Sequence, residues 1–500
     1  MTAFDDGSRH GGAACARLAA RASAPPPVLR TRDALAAGFL GALMLPGCVL
    51  RPEGTRDEQA KLQEVGRAYE PAFEARELPE LPAPATWRDV LRRAFLANGD
   101  LEASYFEWEA AVRRIDAASA YPDSNVQLGY SYMFSPEGMR SFDRQTFTLG
   151  FDSAMPLSLP SKVRRRGTVA LDEAREAGAR FLAARFELQK RALFAWADYK
   201  AQTRMVELRE QSTELDRVGV RLAQVSARTG GSTARVVEGQ AALAMAENEL
   251  AMARAELGSM RAMLNGLLSR SPDAPLGVPD GEEPIPGVPD DGSALRASVE
   301  VFPEVAVDVE RLAARRDALD LARQKWLPDI SPTAMVTGSV SQALGAMLSL
   351  PTNVVQIRAL IDEAKSGVRE AEARLRQKRS DRMGEYVSLL LLARDAQRRA
   401  AFAGGTLLPL ADRLADLRAR EYEAGAGEFE RLLESRRMRI EARGALIEAQ
   451  RSYEKAMVDI ACCLGVGLDQ VAGKFDAASG SLPDVSSASA DRTTRMGGRP

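Results

Sequence analysis

Residues 124–134 read Ser-Asn-Val-Gln-Leu-Gly-Tyr-Ser-Tyr-Met-Phe. Val126, Leu128, Tyr130, Tyr132 and Phe134 fall on one face of an extended chain, and Asn125, Gln127, Gly129 and Ser131 on the other. Strand side chains alternate with period two, so this ribbon is apolar on one side and polar on the other. A turn, Ser135-Pro136-Glu137-Gly138, follows. Residues 145–155 then alternate again, with Phe147, Leu149 and Phe151 against Thr146, Thr148, Gly150 and Asp152. Each stretch has 11 residues, close to the roughly 9–11 of a tilted membrane-spanning strand. Pro156 and Pro160 close the second one.

Long helices flank this hairpin. From Ser161 to Arg228 there is no proline and only three glycines, which predicts one helix of up to 68 residues, roughly 100 Å at 1.5 Å per residue. Thr229-Gly230-Gly231-Ser232 makes a tight turn with Ser232 at the N-cap. A return helix over 232–270 carries Val236, Leu243, Leu250, Leu257 and Leu264 every seven residues. Gly239, Ala246, Ala253, Met260 and Leu267 form a second row, completing a coiled-coil seam. Upstream, Thr86-Trp87-Arg88-Asp89 reads as a capping box opening a helix to about Ala120, broken by Tyr121-Pro122-Asp123. Residues 48–85 hold five prolines and suit an extended arm. Residues 271–292 are a Pro/Gly/Asp linker.

The same order then repeats over 293–465. Ser293 caps a helix to Trp326, and Leu327-Pro328-Asp329 breaks it. Two weaker strands, about 330–337 and 341–350, surround Gly338-Ser339; they are rich in Ser, Gly and Ala, and less regular pairing is expected there. A long helical region over 352–424, kinked at Gly404-Gly405 and Pro409, precedes the turn Gly425-Ala426-Gly427 and a return helix over 427–465. Its small-residue row is Ala442, Ala449, Ala456 and Cys463. Matching landmarks lie 206, 191 and 196 residues apart, an internal duplication. The tail over 466–500 is of low complexity and reads as disordered.

Arg30 and Arg32 precede an apolar run, Ala34 to Leu45, of 12 residues, which is too short to span a bilayer and suits a signal peptide. It ends in Leu45-Pro46-Gly47-Cys48, which resembles the bacterial lipoprotein box. That resemblance implies a leader over 1–47, acylation of Cys48 and an outer-membrane destination, since Val49 and not Asp follows the cysteine. The 500-residue chain has 67 Lys plus Arg against 69 Asp plus Glu, and loss of 1–47 leaves a net charge of −4. Such a balance argues against nucleic-acid binding. His10, the one histidine, is lost with the leader, and with it triads, imidazole catalysis and His-ligated zinc. Cys462-Cys463 reads as a pair of small core residues.

Four strands cannot close a barrel, and open sheet edges cannot sit in lipid, so several copies must pool their strands. The helix–strand–strand–long helix–turn–return helix order, twice over residues 86–465, resembles the TolC-type outer-membrane efflux protein family. So do Arg228-Thr229-Gly230-Gly231-Ser232, Leu408-Pro409-Leu410-Ala411, Glu421-Tyr422-Glu423-Ala424-Gly425 and Leu432-Leu433-Glu434.

The resemblance implies a mostly α protein in which four strands per chain build a twelve-stranded barrel in a homotrimer, continuous with a periplasmic tunnel of helices. It implies a passive, non-enzymatic duct anchored in outer-membrane lipid and working with a periplasmic adaptor and an inner-membrane pump. No cofactor is expected beyond the lipid on Cys48. By the same resemblance the turns at 228–233 and 424–429 are adaptor-docking, gating tips, represented by Arg228, Gly230, Gly231, Ser232, Thr233, Gly425 and Gly427. Glu421, Glu423, Glu428 and Glu430 are candidates for an acidic entrance, although charges there also suit a solvated face. The cluster Lys162-Val163-Arg164-Arg165-Arg166 reads as a solvated helix start or a membrane-boundary segment. A non-conducting coiled-coil lipoprotein scaffold is the rival reading, and a soluble carboxylate enzyme a distant third.

Overall fold

The computed structural model describes residues 49–121, 126–134, 138–151, 158–277, 302–339 and 341–465. Cys48, Ser293, the outer ends of the first two strand segments and the tail lie outside them. The chain divides into a sheet unit, residues 120–163 and 328–350, and a helical unit built from 51–119, 164–327 and 351 onward.

In the sheet unit, β1 (Val126–Tyr132) and β2 (Gln145–Phe151) form one hairpin, β3 (Asp329–Thr337) and β4 (Ser341–Ser349) the other. All pairings are antiparallel in the order β1-β2-β3-β4, so β2 and β3 join the two repeats. Thr146 and Thr337 hydroxyls share a hydrogen bond of 3.1 Å across that seam. The second hairpin corrects the expectation of weaker strands. Both of its strands have nine residues and pair without a break, against seven in each described strand of the first. Low aromatic content does not weaken it, because the ladder is made by the backbone and Gly338 (φ +45°) supplies the tight turn.

In the helical unit, α1 (Thr55–Gly66) corrects the wholly extended arm. Five prolines hid it, yet Asp57 and Glu58 in its first turn and buried Glu58 and Leu62 mark a helix with an inward face. The helix expected over 86–120 is two: α2 (Trp87–Ala97) and α3 (Gly99–Ser119). The capping box at Thr86 and Asp89 is formed. Asn98 breaks the run by turning extended, and its side-chain oxygen accepts from the Leu101 N–H at 3.1 Å.

The long helix α4 (Pro160–Arg228) and α5 (Thr233–Leu267) complete the first repeat. The second has α6 (Pro303–Arg323), α7 (Val354–Phe402), a π-turn at Ala403–Leu407, α8 (Leu408–Glu423) and α9 (Phe429–Cys463). α6 opens at Pro303, whose fixed φ suits the first helical turn; the expected cap at Ser293 lies outside the described residues.

Two apolar clusters hold this unit together. Trp108 stacks on Phe181 at 5.7 Å, with Tyr105, Leu188 and Leu264 around them. Phe302, Tyr386, Met457 and Ile460 form the second. Burial pushes the Tyr69 hydroxyl up to about 12, and it donates to the Phe95 carbonyl at 3.0 Å. Gly178 is obligatory where α4 meets α3, since a Cβ there would lie 2.9 Å from Trp108 Nε1.

We therefore expect Gly178→Val to destabilise the helical unit by about 1–3 kcal/mol through overpacking, read as a lower Tm. Glu304 in α6 is partly buried, which raises its carboxyl, but Lys378 and Arg382 outweigh burial and hold it below its ordinary 4.5. Its stabilising contribution is therefore complete at neutral pH and lost as pH falls below that ordinary value toward the folded one. Glu304→Gln should lower Tm at pH 7 and flatten the dependence of Tm on pH below the ordinary 4.5.

Candidate channel wall and helical tips

The ladder register fixes the two faces of the sheet. Leu128 lies opposite Leu149, Tyr130 opposite Phe147, and these align in turn with Ala334 and Val336. This face is apolar yet open: Leu128 is 82% exposed, Tyr130 60%, Phe147 51% and Leu348 57%. The opposite face carries Gly129, Ser131, Thr146, Thr148, Thr333 and Gly345, with Met335 and Met347. β1 and β4 are edges with no strand beyond them among the described residues. An open apolar face, an open hydroxyl face and two free edges do not make a stable sheet in water.

The basic cluster after β2 is not a solvated helix start. Lys162 is buried and donates to Asp329 at 2.9 Å, while Arg165 reaches Asp317 at 3.0 Å. The acids that answer these cations sit about 150 residues away in the second repeat, which is why local reading missed them.

The two tips are built alike. Gly230 has φ +99° and Gly425 φ +72°, the left-handed residue that ends each helix. A second glycine follows in each. The Gly231 N–H donates to Ser226 O, and the Gly427 N–H to Glu421 O, both at 2.9 Å. Ser232 occupies the N-cap of α5, but its side chain caps nothing, and Thr233 opens the helix. Arg228 is the last residue of α4.

The four tip acids do not converge as one cluster. Glu421 pairs with Arg418 at 2.6 Å, Glu428 with Arg431 at 3.5 Å, and Glu423 is exposed. Glu430 reaches Arg235 on the other tip at 2.6 Å. That pair spans both repeats, and sequence reading supplied only the acid.

Ion pairs also order the helices side by side. α4 holds α5 through Arg209–Glu249 (2.6 Å) and Glu210–Arg254 (2.7 Å). It holds α9 through Asp198–Lys455 (2.6 Å), Lys190–Asp459 (2.7 Å), Lys200–Glu454 and Asp216–Arg437. α8 is tied to α9 by Asp412–Arg439, at 4.0 Å. The lateral order is thus α5, α4, α9, α8. Its two outer edges are apolar and open, Met245, Met252 and Met263 on α5 and Leu410 and Leu417 on α8.

Burial pushes both Cys462 and Cys463 up to about 12, and Cys462 Sγ donates to Phe186 O at 3.4 Å. No group of three metal-ligating side chains occurs among the described residues, and no described helix is long and apolar enough to cross a membrane.

No family model matches the sequence, and no curated protein matches it. Solved structures do. A membrane protein from Pseudomonas aeruginosa superposes with TM-score 0.63 at 20% identity, covering 77% of this chain and 91% of its own. The outer membrane protein VceC of Vibrio cholerae gives 0.61 at 16%, covering 76% and 96%. The open-state outer membrane channel MtrE of Neisseria gonorrhoeae gives 0.61 at 18%, covering 76% and 89%. The chain therefore has the fold of outer-membrane channel proteins, a helical body with a four-stranded contribution from a duplicated chain.

The thiols yield a direct check. Cys462 and Cys463 should resist iodoacetamide at pH 8 in the folded protein and react fully once it is unfolded, because only the thiolate is nucleophilic. Rapid labelling of the folded protein would contradict their burial.

Proposed function

We propose that this chain is the outer-membrane exit duct of a tripartite export system, a passive conduit served by a periplasmic adaptor and an inner-membrane pump. The observation that carries the reading is the four-stranded sheet with an exposed apolar face, a hydroxyl-bearing face and two edges unpaired among the described residues. In lipid, every edge must be paired. Three copies joined head to tail, β4 of one to β1 of the next, close a twelve-stranded barrel with the apolar face on acyl chains and the Thr/Ser/Gly face on water. In the helical unit, the methionine edge of α5 meets the Leu410–Leu417 edge of α8 in the next copy, a heterologous contact that forms a ring.

Acylation at Cys48 fits this arrangement. Arg51 donates to Asp116 at 2.8 Å near the end of α3, a few residues before β1. The gating tips are the turns at 228–233 and 424–429. Opening parts them, and Arg235–Glu430 resists it. Adaptor contacts that favour the parted state would shift the population.

The purified protein in a planar bilayer should conduct ions; absence of current from correctly assembled protein would make it the non-conducting scaffold. Arg235→Glu should raise the open fraction by up to about fivefold, since an exposed pair is worth at most about 1 kcal/mol, and the double swap with Glu430→Arg should restore it. Cys48→Ser should abolish incorporation of labelled palmitate and release the protein from the membrane fraction more readily.

A further inference from the structure

The helical unit contains a groove of about 590 Å³ between α3, α4 and α6. Its position relative to α1 decides which way it faces. α1 and the turn before it cover one side of α4: a Cβ on Gly178 would lie 3.1 Å from Glu58 Oε1, and one on Gly54 would lie 2.6 Å from Arg175 Nη2 and 3.9 Å from Leu171. Leu171, Arg175 and Gly178 share a face at three- and four-residue steps. At about 100° per residue, the groove residues Val169, Glu173, Glu176 and Arg180 fall on the opposite face. α3 divides the same way, Tyr105 and Trp108 toward α1, Glu107 and Arg114 toward the groove. With Cys48 acylated as proposed above, the segment that follows it cannot run inside a water-filled tunnel. The α1 side is therefore the outside of the duct, and the groove opens to its lumen.

The groove floor is apolar and flat, made by Ala110, Ala111, Ala177, Ala314 and Ala318. Its rim is charged with both signs. Glu176 is already committed, to Arg180 and to Arg311 at 2.9 Å. Arg311 also holds Asp308 at 2.6 Å. Arg114, Arg315, Glu107 and Glu173 have no ion-pair partner among the described residues. A guanidinium offers a fork to a carboxylate, and the free carboxylates answer an ammonium. The volume lies in the range of small-molecule sites.

We propose that this groove is a lumenal way-station for amphipathic zwitterions: molecules with an apolar body that lies on the alanine floor, a carboxylate for Arg114 and Arg315, and an ammonium for Glu107 and Glu173. The inference rests on the duct reading and adds a substrate class to it.

The test uses the mature acylated protein in nanodiscs, with Nε-dansyl-lysine as the probe and dansyl amide, which lacks the carboxylate and ammonium, as its control. Saturable, blue-shifted fluorescence is expected with dansyl-lysine and not with dansyl amide. The double variant Arg114→Gln/Arg315→Gln should weaken dansyl-lysine roughly tenfold, the size of losing one charge-assisted contact. Ala177→Trp, which fills the floor, should abolish the signal. Equal binding of the two probes, or unchanged binding in the double variant, overturns the proposal. Conductance of the same preparation separates the two readings. A conducting protein without saturable dansyl-lysine binding loses the groove alone, whereas a non-conducting one loses the duct and the groove with it.

Discussion

The constraint on which the rest depends is the backbone of two edge strands. β1 and β4 each present a row of N–H and C=O groups with no partner strand among the described residues, beside a face that is apolar and open. In water the face is costly, and in lipid each unpaired group costs several kcal/mol. A single copy is therefore at home in neither medium. The assembly proposed above, with β4 of one copy paired to β1 of the next, removes the conflict and makes assembly and membrane insertion one requirement.

The helical unit meets a parallel requirement by different means. Its lateral order is fixed by ion pairs inside the chain and ends in two apolar edges that need a neighbour. The two halves are also unequal. α4 is bound on both sides by several ion pairs, whereas α8 rests on α9 through buried Ala411 and Ala415 and one long pair. A π-turn precedes it, where Pro409 lacks the N–H that would continue the ladder. Within the second repeat, α8 is thus the helix held by the fewest ion pairs among the described residues.

Much of this was legible in the sequence because it rests on local periodicity. Alternation at 126–132 and 145–151, the proline-free run to Arg228 and the paired glycines at both tips are short-range signals. What escaped depended on distant partners or on a few residues acting alone. α1 was hidden by the prolines around it, and the break at Asn98 by one residue in an otherwise helical run. Lys162 looked solvated until Asp329 arrived from the second repeat. β3 and β4 looked weak because their side chains are small, although backbone pairing makes the ladder. The groove over α4 could not be read at all, since its alanines belong to three helices far apart in sequence.

Amide hydrogen exchange in lipid nanodiscs tests the central claim most directly. If barrel closure satisfies the edges, residues 126–132 of β1 and 341–349 of β4 exchange as slowly as the interior strands β2 and β3. Slow exchange in β2 and β3 alongside fast exchange in both edge strands would mean that the edges stay open, and the account of a closed pore would be wrong.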